Sequence, residues 1–541
     1  MRAGTSDNRA VADLAAGLVR LSVAVLFAWV IWRTAWISDD AMITFRQVVM
    51  TVEGEGITWN PGVRVQAFTH PAWFGILTAL YALTEQLYWP AIIAGLILTV
   101  ISVLMICNFA RAQHPEDRYG ITGAALVATL LFCPGVVDFA TSGLENGLSF
   151  FLAVLALRLY AGGERGALFW IVLALLVLNR FDNAVLFLPL ALVAAWPLLM
   201  KGRIGALIPG VLLLLAWMVF ATLYFGSPMP NTYFAKAAAG YPFDERLARG
   251  VIYFEDAIAE TPFTLVLIGA GIVAAGCSRT FWPMAIGLVL FGGYICYVGG
   301  DFMRGRFLAL PAVLAVMLLA GRSWGAPTRW VGPAAFGLGL LIAAPPDLSP
   351  TYQNRTSVRG IADERGFYFD LFGAHSPNAV WMNLALDEAE PDRPHTAWTG
   401  CGIIGLRRLI LPPGHYLIDS CALTDPFLAR LPAAENPDWR PGHHRRWMPA
   451  NYDQLVLGLQ TQVKGGHGQD LYDEMRMIAS APIWEGDRLV AIARRLVGAG
   501  VEAPETYRGG VPGDMLIDFG ELDPQSWDTF LSRAGAAQEE Q

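Results

Sequence analysis

The sequence predicts a polytopic α-helical membrane protein followed by a soluble α/β or α+β part, and three observations lead there. Of 541 residues, 55 % are hydrophobic and 16 % charged, with a mean hydropathy of +0.43, outside the range of an ordinary soluble domain. Charge is uneven: 40 Lys, Arg, Asp and Glu residues lie in 1–345 and 44 in the shorter stretch 346–541. Apolar runs of near-spanning length recur through the first part, whereas the second has none of 20 residues. The chain therefore divides into a membrane domain, 1–345, and a soluble domain, 346–541. A net charge of -8 with no basic run argues against nucleic acid as a partner.

The first span is expected from about Leu18 to Ile37, because the apolar run meets Ser38, Asp39 and Asp40 without a small-residue cleavage pattern. Further apolar stretches fall near 71–110, 120–137, 143–160, 167–178, 184–200, 204–225, 261–278, 281–298, 306–320 and 331–345, giving about eleven transmembrane helices. The positive-inside bias places Arg9, Arg20, Arg111, Arg118, Lys201, Arg203, Arg279, Arg322 and Arg329 in the cytoplasm. The loops Asp39–Thr69, Ser142–Asn146, Asn179–Asn183, Pro228–Asp256 and Gly299–Arg306 then face outward, as does everything after about 346. Parity requires one crossing in 71–110, with part of 71–90 at the interface or re-entrant.

In the soluble part, 363–371 and 469–479 read as helical starts and 402–419 contains a strand-like run. Trp381, Trp398, Trp439, Trp447, Trp484 and Trp527 supply apolar surface to bury, so order is expected to about Gly535. Cys401 and Cys421 are the only cysteine pair there, and they can form a disulfide if that part meets an oxidising compartment. Cys107, Cys133, Cys277 and Cys296 sit in apolar segments and read as small hydrophobes.

Polar residues at membrane boundaries mark the candidate site. Asp39 and Asp40 end the first span on the outer side; a lone carboxylate there is explained by helix-end solvation, but two adjacent ones repel, and one can serve as a proton acceptor. Hard-oxygen binding of Mg²⁺ or Mn²⁺ is a second reading of the pair. In Gly299–Arg306, Arg304 and Arg306 with Asp301 read either as a local ion pair and anchor or as a phosphate clamp, guanidinium donors matching phosphate oxygens. Arg180 and Asp182 interrupt two apolar segments and must pair or line a cavity. Glu145, three residues after Ser142, fits a capping role. Tyr233, Lys236 and His70 stand at segment boundaries, and His443 and His444 form a solvated loop or a sugar or anion contact. HExxH and GxxxxGK patterns are absent.

Several runs together carry a resemblance. They are Ser38–Arg46, Gly54–Gly62, Thr69–Trp73, Thr141–Glu145, Asn179–Asp182, Gly300–Arg306 and Ile418–Pro432. Over about residues 20–530 the chain resembles the GT-C class of polyprenyl-phosphate-dependent membrane glycosyltransferases, most of all the terminal β-(1→2)-arabinofuranosyltransferases of mycobacteria and corynebacteria. The resemblance implies a multi-pass plasma-membrane protein with its site and C-terminal domain on the extracytoplasmic face. It implies transfer of arabinofuranose from decaprenyl-phosphoryl arabinose to arabinan ends of arabinogalactan and lipoarabinomannan. Carried onto this chain, Asp40 and Asp39 are the catalytic acids. Arg304, Arg306, Arg180, Lys236 and His70 are expected around the donor phosphate, and Glu145, Asp182, Asp301, His443 and His444 at the acceptor or cavity. A transferase of mannose or another polyprenyl-phosphate sugar, and a lipid-linked glycan transporter or noncatalytic assembly protein, are the alternatives. Acids at an outer boundary favour an enzyme, since transporter charges extend to the midplane in repeated halves and no repeat is evident.

Overall fold

The computed structural model describes residues 3–238, 240–322, 328–354, 357–379, 397–411, 415–434, 440–503 and 511–512. Trp381, Trp439, Trp527 and the boundary near Gly535 lie outside them. The chain is mostly helical. Its first part comprises α1 (Ala3–Arg33), α2 (Asp39–Val52), α3 (Pro71–Thr84), α4 (Tyr88–Gln113), α5 (Ile121–Ala128), α6 (Pro134–Phe139), α7 (Asn146–Ala161) and α8 (Ala167–Asn179). There follow α9 (Asn183–Met200), α10 (Ile208–Phe225), α11 (Asn231–Lys236), α12 (Phe243–Glu260), α13 (Pro262–Gly276), α14 (Trp282–Val298), α15 (Arg306–Ala320) and α16 (Thr328–Ile342).

Among the described residues four helices are long and apolar enough to cross a membrane by themselves: Ala10–Arg33 of α1, then α4, α9 and α10. α12 and α13 form a pair bent by 107°, and seven shorter apolar helices pack among them. The stretch 71–110 resolves into the 14-residue α3 and the 26-residue α4, only the second of spanning length.

The apolar helices have two distinct ends. At one, Arg111 pairs with Asp13, Arg20 with Asn108 and Arg322 with the Cys277 carbonyl, while His114 Nε2 meets the Ala320 carbonyl at 2.8 Å. At the other, Ser38 N–H donates to the Ser142 carbonyl at 3.0 Å and Trp73 Nε1 to that of Gly143 at 2.9 Å. Arg20, Arg111 and Arg322, three of the cations expected on the cytoplasmic side, therefore lie at the end away from the loops expected to face outward.

The C-terminal segment covers the second end. It holds α17 (Glu364–Phe372), α18 (Ile404–Ile410), α19 (Tyr452–Val456), α20 (Gln469–Ser480) and α21 (Gly486–Leu496), so both expected helices form. Its strands are β1 (Ser357–Val358), β2 (Ile361–Ala362), β3 (Ala397–Gly400), β4 (Tyr416–Asp419), β5 (Trp447–Met448) and β6 (Val511–Pro512). Among the described residues they make three two-stranded ladders, of which β3–β4 is parallel. The described segment is thus helix and loop with little sheet, less than the α/β or α+β expectation. Its core packs Ile418, Phe427, Tyr452, Met475 and Ile478 together, whereas Trp484 is exposed. Cys401 and Cys421 form a disulfide joining the end of β3 to the turn after β4.

Candidate active site

Ser38 explains where the chain turns. Its side chain accepts the Ala41 N–H at 3.1 Å and caps α2, so Asp39 and Asp40 open that helix instead of ending α1, which stops at Arg33. Acids in a first turn suit the positive end of the helix dipole. What read as a loop after Asp40 is helical through Val52.

The two acids then diverge. Asp39 is buried, and its oxygens accept the amides of Leu406 at 2.8 Å and Gly405 at 3.2 Å, capping α18 from another part of the chain. The approach is close: a Cβ on Gly405 would lie 2.2 Å from the Asp39 carbonyl oxygen. Burial pushes the Asp39 carboxyl up to about 7 against the pull of those amides. Asp40 lines a cavity of about 240 Å³, with its carboxylate 3.5 Å from Arg306 Nη1. The pair does not suit a shared metal, because Asp39 spends both oxygens on amides while Asp40 faces a guanidinium. Among the described residues no three His, Cys, Asp or Glu side chains are grouped for metal binding.

Every loop expected to face outward contributes to this cavity. It is lined by Asp40 and His70, by Leu144, by Arg180 and Asp182, by Thr232, Tyr233 and Lys236, and by Asp301 and Arg306. From the C-terminal segment come Leu423, Pro441, Gly442 and His444. Behind the wall, the fully buried Glu145 accepts from Arg180 Nη1 at 2.8 Å and Arg306 Nη2 at 3.1 Å, and Asp182 grips Arg180 through two more bonds of 3.0 and 2.5 Å. Burial alone would raise the Glu145 carboxyl, but Arg306, His70 and Arg180 hold it well below the usual range. Glu145 is therefore the acid of a buried ion cluster, not the capping residue its distance from Ser142 suggested.

Three donors in the cavity wall are unspent. Thr232 Oγ1 and Arg306 Nε have no acceptor, and Lys236 makes no ion pair with any described residue. An acceptor-rich ligand in the cavity would meet cationic groups of Lys236 and Arg306 in its lining.

Other expectations are redirected. Arg304 does not line the cavity; its guanidinium is bound at 3.0 and 2.9 Å by Asp256, which sequence reasoning missed. His70 does line it, but burial draws its pKa down to about 4, so it is neutral at pH 7; it meets Thr44 Oγ1 at 2.8 Å and lies 3.2 Å from Glu145. It cannot offset phosphate charge in that form. Asp301 reaches the cavity, and burial raises its pKa despite Arg306 and Lys236. His443 packs edge-on to Phe302 outside the lining, and His444 lies 4.8 Å from the Tyr241 ring within it. Phe68, Tyr294 and Phe307 were not foreseen; nothing distinguishes them from core aromatics in an apolar sequence, yet they supply the apolar wall.

Helices long and apolar enough to span a membrane, with a cavity at one end lined by acidic and basic side chains, fit a membrane protein. No family profile matches the chain, and no solved structure matches it. Two curated relatives do, both terminal β-(1→2)-arabinofuranosyltransferases. The Mycobacterium tuberculosis enzyme is 28 % identical over 463 residues, covering 73 % of this chain and 71 % of that protein. The Corynebacterium glutamicum enzyme is 29 % identical over 358 residues, covering 56 % of this chain and half of that protein. By this similarity the chain is a membrane glycosyltransferase resembling the arabinofuranosyltransferases.

Proposed function

We propose that the chain transfers arabinofuranose from decaprenyl-phosphoryl arabinose to the ends of arabinan in arabinogalactan and lipoarabinomannan, forming terminal β-(1→2) linkages at the outer face of the plasma membrane. The observation that carries this reading is the presence, in the lining of one cavity, of the Asp40 carboxylate together with Lys236, Arg306 and Thr232. The names of the two relatives supply the sugar and the linkage. The Cys401–Cys421 disulfide supports an oxidising, hence extracytoplasmic, setting for the C-terminal segment as a soluble domain, 346–541.

In this mechanism Asp40 takes the proton of the acceptor 2-hydroxyl as its oxygen bonds to the anomeric carbon. The bond from that carbon to the lipid phosphate oxygen breaks, and the departing phosphate gathers charge. A positioned general base contributes about 10²–10⁴-fold in rate. Lys236, Arg306 and Thr232 meet the phosphate in a poorly hydrated wall, where fixed donors act more strongly than in water. Arg180 reaches the phosphate only through its remaining donors, since Glu145 and Asp182 hold the others. Asp39 serves by keeping α18 seated against α2.

The test is product analysis with purified protein, a synthetic arabinan acceptor and polyprenyl-phosphoryl arabinose. We expect a new terminal β-(1→2)-arabinofuranose, and a loss of at least about 10²-fold in its rate for a folded Asp40→Asn variant. Turnover of a mannosyl donor in place of the arabinosyl one would overturn the sugar assignment while keeping glycosyl transfer.

A further inference from the structure

A second group of unspent donors lies in the seam between α2 and α18, outside the cavity lining. Gly405 approaches Asp39 and Ile43 so closely that a Cβ on it would stand 3.0 Å from the Ile43 amide nitrogen. One turn further along α2 is Arg46, and one turn further along α18 is Arg408. Arg46 is 4 % exposed and Arg408 fully buried. Arg408 makes one long bond, Nη1 to the Leu411 carbonyl at 3.5 Å, and its Nε and Nη2 have no acceptor. Arg46 Nε has none either, and among the described residues Arg46 forms no ion pair. Arg408, its charge disfavoured first by burial, also feels the charge of Arg46, and the carboxylate acting on Arg46, that of the exposed Glu55, stands outside ion-pair distance. The buried Trp59, in the small core shared with Ile43, Ile404 and Leu417, also has an indole N–H without an acceptor.

Two like charges buried side by side with free donors and no acceptor are strongly unfavourable unless an anion joins them. Two guanidiniums present paired N–H groups that match tetrahedral oxygens better than they match one another. We propose that Arg46 and Arg408 form a second anion site, separate from the cavity, which binds a phosphate-type oxyanion between α2 and α18. The ligand is either free phosphate or the phosphate of an anionic lipid headgroup. Occupancy fastens the seam in which Asp39 caps α18. The inference does not rest on the sugar-transfer reading.

The full chain is tested by thermal unfolding, first in neutral detergent with inorganic phosphate against chloride at equal ionic strength, then in phosphatidylglycerol against phosphatidylcholine nanodiscs. The wild type should gain about 2–4 °C in Tm in at least one arm, and Arg408→Met and Arg46→Met should each lose that gain. A gain in phosphate assigns the free ion; a gain confined to phosphatidylglycerol assigns the headgroup. The same gain in both variants would put the anion elsewhere, with Lys236 and Arg306 the obvious place, and would overturn the proposal. So would no gain by the wild type in either arm. The substitutions lie on different helices, so one variant that fails to fold leaves the other to decide.

Discussion

Asp39 and Asp40 are neighbours with different work, and pH separates them. The folded Asp39 carboxyl titrates near 7 because it is buried, against 3.8 as an ordinary side chain. Between those values the folded state holds a proton that the unfolded state has released, so this group's contribution to stability falls as pH rises from about 4 to about 7 and is level outside that window. An Asp39→Asn variant should lose this slope, seen as a flatter curve of Tm against pH than the wild type's; superimposable curves would remove Asp39 as the cause. Glu145 is the opposite case, a buried anion held by two arginines. Glu145→Gln leaves Arg180 and Arg306 short of a charge partner and should cost about 3 kcal/mol, measured by denaturation of the solubilised protein. A loss of activity with unchanged stability would instead make Glu145 a purely chemical residue. Arg304 and Arg306 show what sequence could not say. Two positions apart and chemically equal, they end on Asp256 and in the cavity respectively, a choice made by partners 48 and 161 residues away.

At the scale of the element, the helical starts at 363 and 469 were legible because local pattern and packing agree. The boundary after α1 was not read correctly. The apolar run continues through Ala35, Trp36 and Ile37, and hydropathy hides the break that the Ser38 cap makes. α18 escaped notice for a different reason: it is seven residues long, and its free amides are met by a carboxylate 366 positions away. The Cys401–Cys421 bridge fastens the loop between α18 and the β3–β4 ladder. A Cys421→Ser variant should lose about 2–4 kcal/mol of stability, and reductant should lower the wild-type Tm while leaving the variant's unchanged. Equal response to reductant in both proteins would count against the bridge.

For the whole molecule, the gathering of the expected outer loops around one cavity was foreshadowed by the distribution of Lys and Arg, although no single loop announces its partners. The opposite end carries the exposed Cys277, beside Arg322. In intact cells an impermeant maleimide should leave Cys277 unlabelled and should label a cysteine placed at the exposed Leu459 of the C-terminal segment. The reverse pattern would invert the orientation.

The contact between Gly405 and Asp39 restricts how a polymer can enter. Because α18 meets α2 backbone to backbone, with no side chain between them to slide, the C-terminal segment has no hinge at that seam. Lifting it there would uncap α18 and expose a buried carboxyl together. In the proposed reaction the acceptor would then reach the cavity away from this seam, past Lys236 and Gly442, both of which line it. Bulk added at Gly442 would press on Lys236 and narrow that side of the cavity, while Asp40 on α2 keeps its place.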